Sequence, residues 1–183
     1  MDRRGYKVAF VAHCILNQNA VVHGLASAEG IVKEIVDFFY ERGVGLVQLP
    51  CPELGYAGSM RFWQSREQYE SVGFRRYCRR LAEDQADLAL ELERGGCRVL
   101  AVVGIRGSPS CGVSETYSAN WRGDPRRAEP GTKVGREGVF MEELKRAFES
   151  RGLRPAFVDV DHEEVGKSIK TLISLWENLE NGR

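Results

Sequence analysis

Four short apolar runs, rich in β-branched residues, constrain the fold more than any other feature of this chain. They span residues 7–13, 45–49, 98–105 and 156–160, and each is bounded by turn-forming or polar residues. Apolar runs of this length are typical of strands buried on both faces of a parallel sheet. Segments with helical spacing separate the runs, so the pattern predicts right-handed βαβ units with helices on both faces of the sheet.

The segments with helical spacing support the same fold. They span residues 25–42, 74–94, about 137–150 and 165–179. The clearest is 74–94, in which apolar residues recur every three or four positions until Gly95 and Gly96 end the pattern. We therefore predict a single α/β domain over residues 1–183, built as a doubly wound parallel sheet of the Rossmann-like or flavodoxin-like type.

Two segments do not fit this alternation of strands and helices. They are residues 54–73, the first insertion, and residues 112–136, the second insertion. The second is rich in Gly, Pro, Ser and Arg, and loops of this length in a compact domain are usually functional. Both follow predicted strand ends, on the side where open α/β sheets bind ligands. They are candidate lids.

The composition excludes some classes of partner. The chain has 26 Lys plus Arg and 26 Asp plus Glu, so no net positive field draws in a nucleic acid, and we regard nucleic acid as an unlikely partner. No window approaches the ~20 apolar residues of a membrane helix, and the basic, apolar start has no cleavage site typical of a signal peptide. We expect a soluble, cytoplasmic protein and assign no oligomeric state.

Three of the five cysteines follow predicted strands. Cys14 follows the first strand, Cys51 follows the second, and Cys111 lies shortly after the third. Parallel strands lie ~4.8 Å apart, so with the common strand order 2-1-3 the three thiols can approach one point. An odd number of widely spaced cysteines without an export signal does not indicate a disulfide framework.

Three crowded thiols resist joint ionisation unless a metal neutralises them. Three thiolates suit zinc with one further ligand, or an iron–sulfur cluster in which one iron has no protein ligand. The closely spaced cysteine pairs of small zinc sites are missing here, which favours a cluster; burial of each thiol as a small apolar group is the alternative. Cys78 and Cys97 fall on apolar patterns and are predicted to be core residues.

Polar residues beside these cysteines are candidates for catalysis. Glu53 follows Cys51 closely enough to act as an acid or a base at the same site. In residues 104–112, the glycines allow backbone amides to face an anion, and the hydroxyls of Ser108 and Ser110 can donate hydrogen bonds. The alternatives are a solvated or helix-capping carboxylate and a tight loop without a ligand.

Candidates for substrate binding lie around the same strand ends. Aromatic and basic residues recur in the first insertion, namely Tyr56, Arg61, Phe62, Trp63, Arg66 and Tyr69. Such a set can stack on a planar heterocycle and hold its polar edge, or it can pack as a surface helix. We select Arg61 and Trp63, together with His23, as substrate-binding residues; His13 and His23 could each also move protons near neutral pH.

Three motifs together resemble a known family. They are Cys14-Ile15-Leu16-Asn17, Cys51-Pro52-Glu53 and Gly107-Ser108-Pro109-Ser110-Cys111-Gly112. In this order they resemble the three cysteine motifs of the thiouracil desulfurase family. The resemblance implies a 4Fe-4S cluster held by Cys14, Cys51 and Cys111. It further implies a small thiolated substrate, such as a thiouracil, whose sulfur is taken up by the fourth iron in a non-redox desulfidation.

On that resemblance we expect water to replace the sulfur, with Glu53, Ser108 or Ser110 positioning or deprotonating the water. The chain departs from the family pattern at Val21-Val22-His23-Gly24 and after Glu53, where substrate is chosen. Two other hypotheses stay open. One is a zinc hydrolase that uses the three cysteines with His13 or His23, and the other is a non-catalytic sensor that binds a cluster or a nucleotide.

Overall fold

The computed structural model describes residues 2–161 and 163–181. In chain order the elements are β1 (Lys7–Val11), α1 (His13–Leu16), α2 (Lys33–Tyr40), β2 (Gly45–Gln48), α3 (Pro52–Ala57), α4 (Arg66–Tyr69), α5 (Val72–Arg94), β3 (Arg98–Ile105), β4 (Thr116–Ser118), β5 (Thr132–Val134), α6 (Val139–Ser150), β6 (Ala156–Val160) and α7 (Val165–Asn181), with 3₁₀ turns at Gln18–Ala20 and Pro125–Arg127. The α/β fold class is confirmed. No helix within these described ranges is long and apolar enough to cross a membrane.

The main sheet has the strand order β2-β1-β3-β6, and all three of its strand pairs are parallel. The predicted order 2-1-3 is therefore confirmed, with β6 added beyond β3. Val11, the last residue of β1, pairs with Gln48 of β2 and with Val103 of β3. This register places the carboxyl ends of the three strands side by side.

Successive side chains of β1 point to opposite faces of the sheet, and an apolar core lies on each face. Phe10 packs with α5 and α6, and its ring meets that of Phe148 edge to face at 5.5 Å. Val11 points to the other face, where it packs with residues of α2 and α7 such as Phe38 and Leu172. Each fully buried side chain of this size stabilises the fold by roughly 1.5–3 kcal/mol. Helices cover both faces, as the sequence predicts.

The structure corrects three details of the sequence-based prediction. β2 lies at the edge of the sheet, so its Leu46 and Val47 are only half-buried rather than buried on both faces. The first strand ends at Val11 instead of continuing to residue 13. The helix predicted over 25–42 begins only at Lys33, because residues 18–32 fold back on α1 through the bonds Gln18 N to Gly30 O and Val32 N to Ile15 O.

The two insertions contain more regular structure than predicted, and they pack on each other. The first includes α4, and the second includes an antiparallel pair formed by β4 and β5. Glu67 accepts hydrogen bonds from the Ser118 hydroxyl at 2.7 Å and from the Ala119 amide at 2.9 Å. The Ser65 hydroxyl donates to the Ala119 carbonyl at 2.9 Å. The insertions therefore form one joined layer after β2 and β3.

A buried ionic network anchors this layer to the helices. The side chain of Arg66 is fully buried, pairs with Glu70 and Glu142, and donates to the Glu137 carbonyl at 2.7 Å. Arg75 of α5 adds a second bond to Glu142 at 2.8 Å. A buried guanidinium is tolerated only when its charge is paired and hydrogen-bonded, so these contacts hold α4 against α5 and α6.

Candidate metal centre and its carboxylate network

Cys14, Cys51 and Cys111 come together at the carboxyl end of the sheet. Burial, together with the nearby Cys51, raises the pKa of the Cys14 thiol to about 12. Burial also raises the pKa of Cys111 well above its usual value, and the neighbouring Cys51 and Cys14 act in the same direction. Thiols in this position ionise together only if a positive group compensates their charge, and a metal centre supplies one.

The short helix α1, which carries Cys14, is held by a buried glutamine. Gln18, which is only 2% exposed, donates from its amide nitrogen to the Cys14 carbonyl at 2.7 Å. Its amide oxygen accepts from the backbone of Ser27 at 2.9 Å. Sequence reasoning did not select Gln18, because a glutamine within a polar stretch carries no signal that it is buried.

Cys51 begins a short helix directly after β2. It is the N-cap of α3, its sulfur accepts a hydrogen bond from the Leu54 amide at 3.4 Å, and Pro52 occupies the first helical position. Proline is favoured there because the first helical amides lack partners within the helix. Burial raises the pKa of the Cys51 thiol while the Leu54 amide lowers it. A sulfur that accepts an amide hydrogen bond is suited to act as a thiolate ligand.

The loop that carries Cys111 is tightly folded on the end of β3. The Ser108 hydroxyl oxygen accepts from the Cys111 amide at 3.0 Å, and the Ile105 amide donates to the Cys111 carbonyl at 2.9 Å. A Cβ atom added at Gly104 would stand 2.3 Å from that same carbonyl oxygen, so only glycine fits there. Asp159 of β6 accepts from the Val113 amide at 2.7 Å and fixes the far side of the loop.

Glu53 is the centre of a hydrogen-bond network beside the cysteines, and it is only 8% exposed. Its Oε1 accepts from the Ser110 hydroxyl at 2.6 Å, and its Oε2 accepts from Arg61 Nε at 3.3 Å and from the Tyr69 hydroxyl at 3.4 Å. The Ser110 hydroxyl oxygen also lies 3.5 Å from the sulfur of Cys111. One side chain therefore connects the carboxylate to a cysteine of the trio.

Ser108 completes the short row of hydroxyl groups. Its oxygen lies 3.5 Å from that of Ser110. Ser110 has one proton, which it donates to Glu53 across the shorter distance, so Ser108 is left to donate its own proton towards Ser110 or a ligand. The structure thus brings the three predicted catalytic candidates, Glu53, Ser108 and Ser110, next to the cysteine trio.

The three predicted substrate-binding residues lie in different surroundings. The side chain of Arg61 is 4% exposed and is bonded to protein groups, whereas Trp63 is 50% exposed and its ring packs against Tyr117 with centroids 5.0 Å apart. His23 is exposed on a turn closed by the bond from Leu25 N to Val22 O. His13 is half-buried, and burial lowers its pKa.

Aromatic side chains of the two insertions form a cluster next to the Cys111 loop. Trp63 of the first insertion packs on Tyr117 and Trp121 of the second. The Tyr117 amide donates to the Gly107 carbonyl at 2.9 Å, which places this cluster beside the segment that leads into Ser108.

The remaining two cysteines are separate from the trio. Cys78 is fully buried on α5 within the apolar core, and Cys97 is partly buried against the same core. This is the environment that the sequence predicts for both. None of the five cysteines, all of which lie in the described part of the chain, forms a disulfide.

The donor set fits an iron–sulfur cluster. Thiolates are the usual ligands of iron–sulfur clusters, and hydrogen bonds from amides and hydroxyls to those sulfurs tune them. The Leu54 amide supplies such a contact to Cys51, and the Ser110 hydroxyl oxygen lies 3.5 Å from the sulfur of Cys111. Within residues 2–161 and 163–181, no group of three His, Cys, Asp or Glu side chains is arranged to hold a single metal ion.

Comparisons with known proteins agree with these motifs. The uncharacterized protein MJ0003 of Methanocaldococcus jannaschii is 36% identical over 171 residues, which cover 92% of this chain and 96% of that protein. A solved structure, the 4Fe-4S-dependent thiouracil desulfidase TudS, aligns with a TM-score of 0.47 and 21% identity over 91% of this chain and 97% of the other, a likeness too low to support an argument. The family model described as "Putative 2-thiouracil desulfurase" matches residues 6–131, more than half of the chain. The chain therefore belongs to the 2-thiouracil desulfurase family.

Proposed function

We propose that this protein is an iron–sulfur-dependent desulfidase that converts the C=S group of a small thiolated heterocycle, such as a thiouracil, into C=O. Membership of the family supports the substrate class. The observation that carries the proposal is the contact of Ser110 with both Glu53 and Cys111, since it joins a buried carboxylate to the cysteine trio.

Cys14, Cys51 and Cys111 would hold a 4Fe-4S cluster with one iron left without a protein ligand. When bound, that cluster would supply a Lewis-acidic iron for the sulfur of the substrate. The support from this chain is the set of three thiols that follow neighbouring strands, of which Cys111 is buried and Cys14 and Cys51 are partly buried. The Leu54 amide, which donates to the Cys51 sulfur, adds to this support.

The reaction is balanced as C=S plus water giving C=O plus hydrogen sulfide, with no net oxidation. Water supplies the oxygen, and its two protons leave with the sulfide. Glu53 Oε1 is proposed to accept a proton from the attacking water through the Ser110 hydroxyl and to return it to the departing sulfur. The Ser108 hydroxyl is not the donor to Glu53, so its proton is proposed to form a hydrogen bond to the polar edge of the substrate.

Trp63 is proposed to contact the planar ring of the substrate. Its half-exposed indole and its position beside Tyr117, next to Gly107, support this role, because aromatic faces stack on planar heterocycles. His23 also stays a predicted substrate contact, on the turn that follows the Cys14 loop. The buried contacts of Arg61 favour a role other than contact with the substrate.

Anaerobic reconstitution followed by a turnover assay tests the proposal. We expect a brown protein with about four irons and four sulfides per chain, which releases uracil and sulfide from 2-thiouracil or 4-thiouracil. A colourless, iron-free protein after careful reconstitution would contradict the cluster. Zinc in place of iron would favour the hydrolase hypothesis, and a full cluster without turnover of any thiolated pyrimidine would favour the sensor.

A further inference from the structure

The two oxygens of the Glu53 carboxylate have different partners. Oε1 accepts from Ser110, on the side of Cys111, whereas Oε2 accepts from Arg61 and Tyr69. One oxygen is therefore directed at the proposed reaction centre, and the other is bonded to groups that lie behind it.

Arg61 makes contacts with three parts of the chain. Nε donates to Glu53 Oε2 at 3.3 Å, one terminal nitrogen donates to the Gly58 carbonyl at 3.3 Å, and the other donates to the Ala20 carbonyl at 2.7 Å. Ala20 lies in the segment after Cys14, and Glu53 lies just after Cys51. The guanidinium thus connects the loops that carry two of the three proposed ligands.

From this geometry we propose that Arg61 is a positioning residue, which holds the Glu53 carboxylate so that Oε1 faces Ser110. The inference rests on the proposed desulfidase function. It also replaces a contact between Arg61 and the substrate, because the side chain is 4% exposed and each of its three nitrogens donates to the protein. The planar guanidinium of arginine presents separate nitrogens to Glu53 and Ala20 in a fixed arrangement, whereas a lysine has one nitrogen and no such fork.

The two roles differ in their kinetic effect. A residue that contacts the substrate equally in the ground and transition states changes KM, whereas a residue that orients a proton acceptor changes kcat. Misplacement of a reacting group by about 1 Å can slow a reaction by roughly 10²-fold. Loss of Arg61 should therefore lower kcat and leave KM nearly unchanged.

The kinetic test compares Arg61→Gln and Arg61→Lys with wild type after anaerobic reconstitution. We expect wild-type iron and sulfide content in both, with kcat about 10- to 100-fold lower for Arg61→Gln and KM within about twofold of wild type. Arg154→Gln, at an exposed arginine, is the matched control and should behave as wild type. A tenfold rise in KM at unchanged kcat, or unchanged values of both constants, would overturn the proposal.

A double-mutant cycle tests the Arg61–Glu53 contact without any assay of turnover. Urea unfolding is measured on the full-length chain for wild type, Arg61→Gln, Glu53→Gln and the double variant. We expect Arg61→Gln to raise the equilibrium constant for unfolding by a factor at least about fivefold smaller in the Glu53→Gln background than in wild type, since contacting residues couple. If the changes in the unfolding constant of the two single variants multiply, to within about twofold, to the change in the double variant, the contact is overturned.

Two outcomes need a separate test, namely a variant that does not fold and a wild-type chain that shows no turnover. If Arg61→Gln does not fold, Arg61→Lys takes its place in the same cycle, since it keeps the charge but not the fork. If the wild-type chain shows no turnover, the proposed function fails, and the unfolding cycle still decides whether Arg61 holds Glu53.

Discussion

The Ser110 hydroxyl donates to the Glu53 carboxylate across 2.6 Å, and this bond links the loop after β3 to helix α3, which follows β2. A short O–H···O⁻ bond of this kind is stronger than a hydrogen bond between two neutral groups. Because the same hydroxyl lies beside Cys111, the bond makes Ser110 the most informative position at which to separate chemistry from metal binding.

Replacement of Ser110 by alanine should lower kcat by about 10²-fold, since it removes the proposed proton relay to Glu53. The cysteines are unchanged in this variant, so iron and sulfide content should match wild type. Turnover of 2-thiouracil and iron quantitation on the same preparation check both statements. Ser150→Ala, at an exposed serine on α6, is the control. Wild-type kcat in Ser110→Ala would remove Ser110 from the mechanism.

Each of Cys14→Ser, Cys51→Ser and Cys111→Ser should lose the visible absorption of the cluster and most of the bound iron. A hydroxyl group is a poor ligand for iron in such clusters compared with a thiolate. Cys97→Ser and Cys78→Ala should keep the cluster, because both residues belong to the apolar core. A cluster that survives in any variant of the trio would assign a different ligand.

Replacement of Gly104 by alanine should disturb the Cys111 loop. The new methyl group would meet the Cys111 carbonyl oxygen at 2.3 Å, so the loop would have to shift away from β3. We expect reduced iron content after reconstitution and a lower unfolding midpoint in urea. Gly166→Ala is the matched control, since an added methyl group meets nothing within 4 Å there. Equal iron content in the two variants would show that the loop adapts.

The buried ionic network predicts a large effect at Arg66. Arg66→Met leaves Glu142, whose side chain is 15% exposed, without its nearest partner, and it should lower the free energy of unfolding by about 3 kcal/mol. Arg79→Met removes a guanidinium from an exposed position beside Glu143 and should cost less than about 1 kcal/mol. Urea denaturation of both variants provides the comparison, and similar losses would contradict a special role for Arg66.

The raised pKa of the Cys14 thiol predicts that the stability of the cluster-free chain depends on pH. Burial raises its pKa from 9.0 to about 12, so between these values the unfolded chain has released the proton while the folded chain retains it. Stability is therefore fully present below pH 9 and falls as the pH rises towards 12, by up to about 1.4 kcal/mol per pH unit for this group. Cys14→Ala should remove that share of the slope in urea unfolding measured between about pH 8 and 11. An unchanged slope would contradict it.

The apolar runs predicted the strands, and the strand order 2-1-3 was expected because it is common in doubly wound sheets. That order brought Cys14, Cys51 and Cys111 to one end of the sheet, and their neighbours Glu53 and Ser110 followed. Local sequence patterns therefore predicted the fold class and the cysteines, glutamate and serine that the structure brings together.

The supporting residues could not be predicted in the same way. Gln18, Tyr69 and Asp159 act through contacts between segments distant in sequence, and nothing in their own surroundings distinguishes them from surface polar or core aromatic residues. The second insertion contains two strands of three residues each, β4 and β5, which are too short to show a periodic pattern in the sequence. The sequence predicted that Arg61 binds the substrate, and the positioning role is inferred only from its three acceptors in the structure.

The dispersal of the cysteine trio over three successive strand ends has a consequence for biogenesis. Two cysteines close together in sequence lie on one short peptide, but here no fragment shorter than residues 14–111 contains all three sulfurs. The complete ligand set exists only after β3 has been made and has joined β1. Delivery of iron and sulfide to this chain would then follow folding of the sheet, so a mutation that slows assembly of the sheet would produce a metal-free protein even though every cysteine is intact.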